Sequence, residues 1–281
     1  MIKLVRIRDD KLPDALHGAK RVARERELAK MRRNLLREGS GGSPVWKTAY
    51  WKVGKETLKA ESGGKCAYCE TPFSAGGHGD VEHFRPKSTY WWLAYCYDNH
   101  CYSCQICNQS YKGDKFPIRG AKMRGPSVTA RTSDTSLKML AGAMAPDPRR
   151  IKAGYTLVKF VEACRREEPG LLDPYIDDPG EHFAWKVDKV NREVTLVAAR
   201  ASPQSEFVIQ CAEECLGLNR ETLKRRRYEF WEIADVFRTI LTSPDVPADT
   251  KNHARRAIEA MRMPEKPYAG MLRYFAGQWG L

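Results

Sequence analysis

The first sixty residues carry apolar positions at helical spacing. Leu28 and Leu35 fall on one side of a helix that the pattern predicts over residues 13–38. Gly and Ser dominate residues 39–44, a composition that is typical of a loop and ends this helix. A second helix is expected over residues 45–61, where Trp, Tyr and Leu supply the apolar face.

The second half of the chain changes from helical to alternating periodicity and back. Apolar and polar residues alternate over residues 183–199, on both sides of Asn191 and Arg192, which predicts a small β-hairpin. Asn219 is the expected N-cap of the longest helix that follows. Helical patterns cover residues 155–166, 206–215, 219–241 and 248–261.

These patterns predict an α+β fold that is mostly helical. Residues 118–150 interrupt the pattern with a stretch rich in Ser, Thr, Ala, Gly, Arg and Pro, and one short helix is expected near residues 137–144. The chain is therefore divided into an N-terminal helical segment (1–60), a central core (61–120), a variable insertion (121–165) and a mainly helical C-terminal region with the hairpin (166–281).

The chain is strongly basic. Its 281 residues include 48 Lys and Arg residues against 35 Asp and Glu residues, a formal net charge of +13 at pH 7. Such an excess favours polyanionic partners, of which nucleic acid is the commonest. Residues 20–37 hold eight basic side chains and two Glu, and this helix face is either simply solvated or a surface for phosphate groups.

Nothing in the sequence indicates a membrane location. No stretch approaches the roughly 18 consecutive apolar residues that a transmembrane helix requires. The first ten residues also lack the long apolar segment and the cleavage signal of a secreted protein. We therefore expect a cytoplasmic protein without a membrane partner.

Nine cysteines are present, and four of them form two Cys-x2-Cys turns, or zinc knuckles. Cys66/Cys69 and Cys104/Cys107 predict one structural Zn²⁺ site, because two knuckles supply the four thiolates of a closed tetrahedral site. Cys101 and Cys104 form an overlapping pair, which leaves some ambiguity in the register. The other cysteines are expected to be small buried residues in a reducing compartment: Cys96, Cys101, Cys164, Cys211 and Cys215.

A Glu-His dipeptide lies between the two knuckles. Glu82 offers the hard oxygen ligand that Mg²⁺ or Mn²⁺ prefers, and His83 can accept a proton near neutral pH. Asn108 directly follows the last knuckle cysteine, and its side-chain oxygen can provide a second metal bond. Lys112, four residues further on, shares a helix face with Asn108 and can reach a phosphate oxygen. These residue types together fit metal-assisted phosphodiester hydrolysis.

The spacing of His83, Asn99 and Asn108 resembles the signature of the HNH, or ββα-metal, nuclease family. The resemblance implies a ββα-metal HNH core that a four-cysteine zinc site holds together. It also implies that His83 is the general base and that Glu82 and Asn108 bind the catalytic Mg²⁺ or Mn²⁺. Asn99 would be a structural residue that orients His83, and Lys112 completes the expected catalytic set.

Longer sequence segments resemble those of a narrower group, the HNH nucleases of Septu-type and retron-associated anti-phage defence systems. They are residues 82–87, 90–95 and 111–117, with further pieces at 171–179 and 216–220. The resemblance implies an effector endonuclease that hydrolyses DNA and works with a partner protein, such as a defence-system ATPase. The chain itself has no Gly-x4-Gly-Lys-Ser/Thr pattern for nucleotide binding.

Two kinds of contact surface are expected. Basic residues near the Glu-His pair and near Asn108 are expected to bind nucleic acid: Arg85, Lys87, Lys112 and Lys115. Aromatic residues near the end of the sequence either dock a partner or close the protein's own core: Tyr268, Tyr274, Phe275 and Trp279.

One alternative to a nuclease belongs to another functional class. It is a non-catalytic zinc-ribbon protein that binds nucleic acid or serves as an adaptor. Such a protein would need the four knuckle cysteines and the basic charge. It would not need Glu82, His83 and Asn108, and this requirement separates the two interpretations.

Overall fold

The computed structural model describes residues 1–39, 44–73, 77–152 and 154–281. Its α-helices are α1 (Gly18–Arg37), α2 (Ala49–Lys52), α3 (Lys55–Glu61), α4 (Asp134–Leu140), α5 (Leu157–Arg165), α6 (Pro203–Leu216), α7 (Glu221–Thr242), α8 (Ala248–Met261) and α9 (Ala269–Gln278). A short helix at Ile106–Lys112, named here the knuckle helix, is more loosely wound than an α-helix. Most of the loop predicted at 39–44 lies outside the described residues.

The strands of the described residues form two separate antiparallel hairpins. β1 (Gly79–His83) pairs with β2 (His100–Cys104), and β3 (Phe183–Asp188) pairs with β4 (Glu193–Ala198). The second hairpin confirms the β-hairpin predicted from the alternation over residues 183–199. The observed content of helices and small sheets confirms the predicted α+β, mostly helical fold class.

The N-terminal helices differ from the prediction at their boundaries. A short 3-10 turn at Asp14–Leu16 precedes α1, so the long helix begins only at Gly18. The single helix expected over 45–61 is divided into α2 and α3 at Gly54. A side chain at Gly54 would lie 3.2 Å from a methyl group of Leu16, so this close packing favours a residue without a Cβ.

Two hydrophobic clusters form the core. The first joins the knuckle segments to the second hairpin and to α6, α7 and α9. The second joins α1 and α3 to the loop between β1 and β2, where Trp91 and Trp92 are buried. Leu137 of α4 and Phe160 of α5 are also buried in this second cluster. Residues of the predicted insertion therefore contribute to the core beside α1.

Asn219 is not the cap of α7, and that prediction was wrong. The helix begins at Glu221 with Arg220 in the N-cap position. The Asn219 side chain instead accepts a hydrogen bond from the Leu196 N–H (2.8 Å) and donates one to the Leu196 carbonyl (3.0 Å). An amide satisfies both backbone groups of a residue in β4 in this way, whereas a cap would satisfy only one donor.

The C-terminal aromatic residues pack mainly into the protein itself. Tyr268 and Phe275 are buried in the first hydrophobic cluster, and Tyr274 and Trp279 are half-buried against it. Phe275 contacts both the Trp231 ring of α7 and the Trp279 ring. Of the two roles expected for these aromatics, the geometry favours closure of the core.

A membrane crossing requires a helix that is both long and apolar. No helix within the described ranges combines these two properties.

Candidate metal centre and active site

Four cysteine sulfurs converge at the base of the first hairpin. The Sγ atoms of Cys66, Cys69, Cys104 and Cys107 all lie within 4.8 Å of one another. Cys104 ends β2 and Cys107 lies in the knuckle helix, while the other two come from the turn that precedes β1. Cys101 lies outside this group, so the geometry resolves the ambiguity of register. The group could hold a metal ion and is compatible with structural zinc.

Backbone amides and neighbouring thiols surround the sulfurs. The N–H of Cys104 points to the Cys66 sulfur and the N–H of Cys107 to the Cys104 sulfur, each at 3.4 Å. Hydrogen bonds from neighbouring thiols lower the pKa of Cys69 and Cys104, whereas burial raises the pKa of Cys66. Four thiolates this close repel one another, so a divalent cation is needed to keep all four ionised.

The remaining cysteines are buried, as the sequence predicted. Burial raises the pKa of Cys96, Cys101 and Cys211 to about 12 in each case. These thiols are therefore protonated at neutral pH and behave as small apolar side chains.

Glu82 and His83 face opposite sides of β1. The strand pairs regularly with β2 up to His83, which lies opposite His100, so consecutive side chains alternate. Glu82 faces the knuckle helix, where its Oε1 lies 2.5 Å from the Nζ of Lys112. Lys112 also donates a hydrogen bond to the His83 carbonyl (3.0 Å). Burial raises the pKa of Glu82, and the Lys112 ammonium opposes this effect.

His83 is held by a backbone carbonyl on the other side of the strand. Its Nε2 lies 2.9 Å from the Ala94 oxygen, and Nε2 must carry a proton because a carbonyl only accepts. Burial lowers the pKa of His83 well below 6.5, so the neutral ring has this single N–H. The unprotonated nitrogen is therefore Nδ1. The ring packs edge-on against Trp51, with centroids 4.8 Å apart.

His100 shares the same carbonyl, which the sequence did not reveal. Its Nε2 lies 3.1 Å from the Ala94 oxygen, and its ring lies 4.7 Å from that of His83. His100 is 1% exposed and His83 is 6% exposed, so His83 is the more accessible of the two. Burial lowers the pKa of His100 to about 3. The signal that could have found this contact is the strand pairing, since the two histidines are register partners.

Asn99 fixes the loop that carries Ala94. Its Oδ1 accepts from the Arg85 N–H (2.9 Å), and its Nδ2 donates to the Arg85 carbonyl (3.0 Å) and the Leu93 carbonyl (3.4 Å). The side chain is fully buried. It therefore ties the residues after His83 to the residue before Ala94. This arrangement is in keeping with the structural role that the family resemblance implied.

Asn108 lies in the first turn of the knuckle helix and is partly exposed. Its carbonyl accepts a hydrogen bond from the Gly113 N–H (2.7 Å), which closes the helix. Among the described residues, the four cysteines are the group of three or more His, Cys, Asp or Glu side chains that lie close enough to hold a metal ion. Glu82 lies outside this group, so the described residues do not converge on a second cluster of three or more such donors around it.

Two of the four predicted nucleic-acid contacts are interior residues. Arg85 is 1% exposed, and its Nε lies 2.7 Å from the Glu167 carboxylate. Lys112 is equally buried and is paired with Glu82. The reason is electrostatic: a buried carboxylate needs a cation beside it, and these side chains supply it. Neither is placed at the surface where the sequence analysis expected it.

Lys87 and Lys115 do reach the surface. Lys87 is half-buried, with its Nζ 5.8 Å from the centroid of the Trp51 ring that contacts His83. Lys115 is exposed and donates to the Glu214 carbonyl (3.2 Å). Several basic residues of α1 and α7 have acidic partners within the chain: Arg21 with Glu25, Arg33 with Asp134, Lys224 with Glu193, Arg225 with Glu221 and Arg226 with Glu229.

Glu167 is a structural residue of the site that the sequence analysis missed. Its carboxylate pairs with Arg85 and accepts from the Tyr90 hydroxyl (2.7 Å) and the Met123 N–H (2.8 Å). It is fully buried just after the predicted insertion. No motif surrounds it, so its role follows only from the tertiary contacts.

Part of the chain is similar to a known bacterial protein. No protein-family model matches the chain. The chain is similar to the Septu protein PtuB of Bacillus mycoides (strain KBAB4), with 32% identity over 145 residues. The match covers 47% of this chain and 38% of the length of that protein. This similarity supports a relation between the chain and Septu proteins.

Proposed function

We propose that this chain is a metal-dependent HNH endonuclease that hydrolyses phosphodiester bonds in DNA. The observation that carries the proposal is the state of His83. Its Nε2–H is directed to the Ala94 carbonyl, so Nδ1 is the free base in a neutral ring. A general base needs an unprotonated nitrogen at working pH, held in a fixed orientation.

The chain's own residues would divide the chemistry as follows. Glu82 and Asn108 would hold Mg²⁺ or Mn²⁺, which when bound supplies positive charge to the phosphate and the leaving oxygen. Nδ1 of His83 would take the proton of the attacking water. The Ala94 carbonyl would then favour the protonated ring, because it accepts a hydrogen bond whose donor becomes positively charged.

Lys112 and Asn99 would act as positioning residues. Lys112 bridges the Glu82 carboxylate and the His83 carbonyl, so it links the proposed metal ligand to the backbone of the proposed base. Asn99 holds the loop that bears Ala94. Rates depend steeply on such alignment, since a small displacement of a catalytic group costs much of its effect.

The biological setting is proposed to be bacterial anti-phage defence. The support is the similarity to the Septu protein PtuB, together with the sequence segments that resemble defence nucleases. A nuclease with a net charge of +13 would attract cellular DNA nonspecifically, so restraint by a partner protein is expected. An ATPase is the proposed class of partner, because the sequence itself carries no nucleotide-binding loop.

A second candidate is a zinc protein that binds nucleic acid or a partner without cleaving. Two observations favour it: Glu82 is already neutralised by Lys112, which lowers its need for a metal, and Glu82 and His83 face opposite sides of β1. This candidate predicts DNA affinity that does not depend on Mg²⁺. The nuclease predicts Mg²⁺- or Mn²⁺-dependent conversion of supercoiled plasmid to nicked and linear forms.

The test is incubation of the purified protein with plasmid DNA and, separately, with RNA. Each reaction is run with EDTA, with Mg²⁺ and with Mn²⁺. Cleavage of DNA that requires a divalent ion supports the proposal. Binding without cleavage under every condition supports the second candidate. Cleavage of RNA alone would support phosphodiester hydrolysis but would change the proposed substrate from DNA to RNA.

A further inference from the structure

Two arginines near the α6–α7 turn have no acidic partner within ion-pair distance among the described residues, and one of them, Arg220, lies beside the cysteine group. The Nη1 of Arg220 is 3.8 Å from the Cys107 sulfur. Arg227, in the second turn of α7, is 4% exposed and donates to the Leu218 carbonyl (2.7 Å). In the described part of the chain, neither guanidinium lies within ion-pair distance of a carboxylate, although their neighbours Arg225 and Arg226 are both paired.

An unpaired buried guanidinium is costly. Backbone carbonyls satisfy its N–H groups, here at Leu218 and at Gly217 (3.0 Å from Arg220), but they supply no net negative charge. The cysteine group can supply that charge. A Zn²⁺ ion with four thiolates carries a net charge of 2−, which two guanidinium groups balance.

The turn between α6 and α7 is packed directly on the knuckle helix. Gly217 ends α6 with a φ of +60°, and a Cβ there would lie 2.4 Å from the Tyr111 ring. Lys115, just beyond the knuckle helix, donates to the Glu214 carbonyl of α6. These contacts hold the turn that carries Arg220 against the knuckle helix, and the Arg220 guanidinium lies beside the Cys107 sulfur.

We propose that Arg220 and Arg227 are the charge-compensating residues of the tetracysteine metal centre, and that the metal thereby joins the knuckle helix to the C-terminal helical region. The proposal rests on structural zinc and is independent of nuclease activity. Groups around metal ligands typically change metal affinity by about 10- to 100-fold when they are altered. A purely structural alternative exists, in which both arginines serve only to bind the carbonyls of the α6–α7 turn.

The experiment measures zinc affinity by competition with a chromogenic chelator, on full-length protein as purified. Arg220→Gln keeps a donor for the Gly217 carbonyl but removes the charge, whereas Arg220→Lys keeps the charge. Arg225→Met is the matched control, since Arg225 is exposed on the same helix and paired with Glu221. Arg227→Met tests the second guanidinium, and Arg220 is only partly buried and so offers the safer variant.

The expected result is about a tenfold or greater loss of zinc affinity in Arg220→Gln and Arg227→Met. Arg220→Lys and Arg225→Met should stay close to the unmodified protein. Failure of Arg227→Met to fold leaves the decision to the Arg220 pair. The proposal is overturned when Arg220→Gln binds zinc as tightly as Arg225→Met, or when Arg220→Lys loses as much affinity as Arg220→Gln.

Discussion

Lys112 and Glu82 form a buried ion pair between the knuckle helix and β1, with Nζ and Oε1 2.5 Å apart. The pair is nearly inaccessible to solvent on both sides. Replacement of only one of the two residues should therefore destabilise the fold far more than replacement of both, because a single replacement leaves a buried charge without its partner.

Lys112→Met should lower the free energy of unfolding by about 3 to 5 kcal/mol, since it leaves the Glu82 carboxylate buried and uncompensated. The double variant Lys112→Met/Glu82→Gln should recover part of this loss. Urea denaturation followed by circular dichroism gives both values, with Lys115→Met as the exposed control. Equal stability of the two lysine variants would show that the pair does not matter for folding.

Glu82→Gln should weaken the response to the catalytic ion more than it weakens folding. The amide keeps the size of the side chain but removes the charge that a divalent cation binds best. Titration of plasmid cleavage with Mn²⁺ should therefore shift to higher concentrations, or cleavage should be lost. Asp80→Asn, two residues earlier in β1, is the matched control, and a similar shift in that variant would argue against a specific ligand at Glu82.

The cysteine group should contain about one zinc ion per chain, measured by elemental analysis of the purified protein. Cys104→Ser should lose the ion and unfold at a lower temperature, because metal binding and folding are coupled at structural sites. Cys96→Ser removes another buried thiol and should retain the zinc. A fully folded protein without any metal would contradict the predicted centre.

Glu167→Gln should disturb the site from a distance. It removes the charge that balances Arg85, whose backbone is held by Asn99 next to the loop of Ala94. Both the stability and the rate of cleavage should fall, with a larger effect on the rate constant than on DNA affinity. Glu168→Gln changes the exposed neighbour and should leave both quantities unaltered. An unchanged cleavage rate in Glu167→Gln would separate this network from the active site.

Asp173 should make the fold less stable as the pH rises from about 4 to about 6. Burial raises the pKa of Asp173 from 3.8 to about 6, so the folded state binds this proton more tightly than the unfolded state. The folded protein gains from the proton at low pH and loses that gain as the pH passes the raised pKa. Asp173→Asn should therefore raise the unfolding free energy at pH 7.5, by on the order of 2 kcal/mol. Its effect should be small at pH 4. Asp245 is exposed between α7 and α8, so Asp245→Asn should have little effect at either pH.

The sequence predicted features that local patterns encode. The β3–β4 hairpin follows from alternation, and the cysteine group follows from the spacing of two knuckles. Asn219 shows where local signals fail, because a residue type suited to capping binds the Leu196 backbone 23 positions away instead. That choice depends on tertiary packing, which a cap pattern does not contain.

Charged residues were the least predictable part of the site. Arg85 and Lys112 were predicted to bind nucleic acid because Arg85 follows the Glu-His pair and Lys112 shares a helix face with Asn108. Their burial depends on two carboxylates, and one of them, Glu167, is 82 residues from Arg85 in the sequence. The contact of His83 and His100 with the same Ala94 carbonyl could not be predicted either, because the two rings come together only when β1 and β2 are paired.

The most direct measurement compares plasmid cleavage by His83→Ala and His100→Ala under saturating Mg²⁺ or Mn²⁺. Each variant removes one imidazole ring that is hydrogen-bonded to the Ala94 carbonyl. His100→Ala therefore controls for the structural cost of losing such a ring. A general base at His83 predicts that His83→Ala loses about 10²- to 10⁴-fold in rate while keeping its DNA affinity, and that His100→Ala retains most of the activity. The proposed function would be contradicted if His83→Ala cleaved DNA at the rate of the unmodified protein. It would also be contradicted if the unmodified protein showed no metal-dependent cleavage.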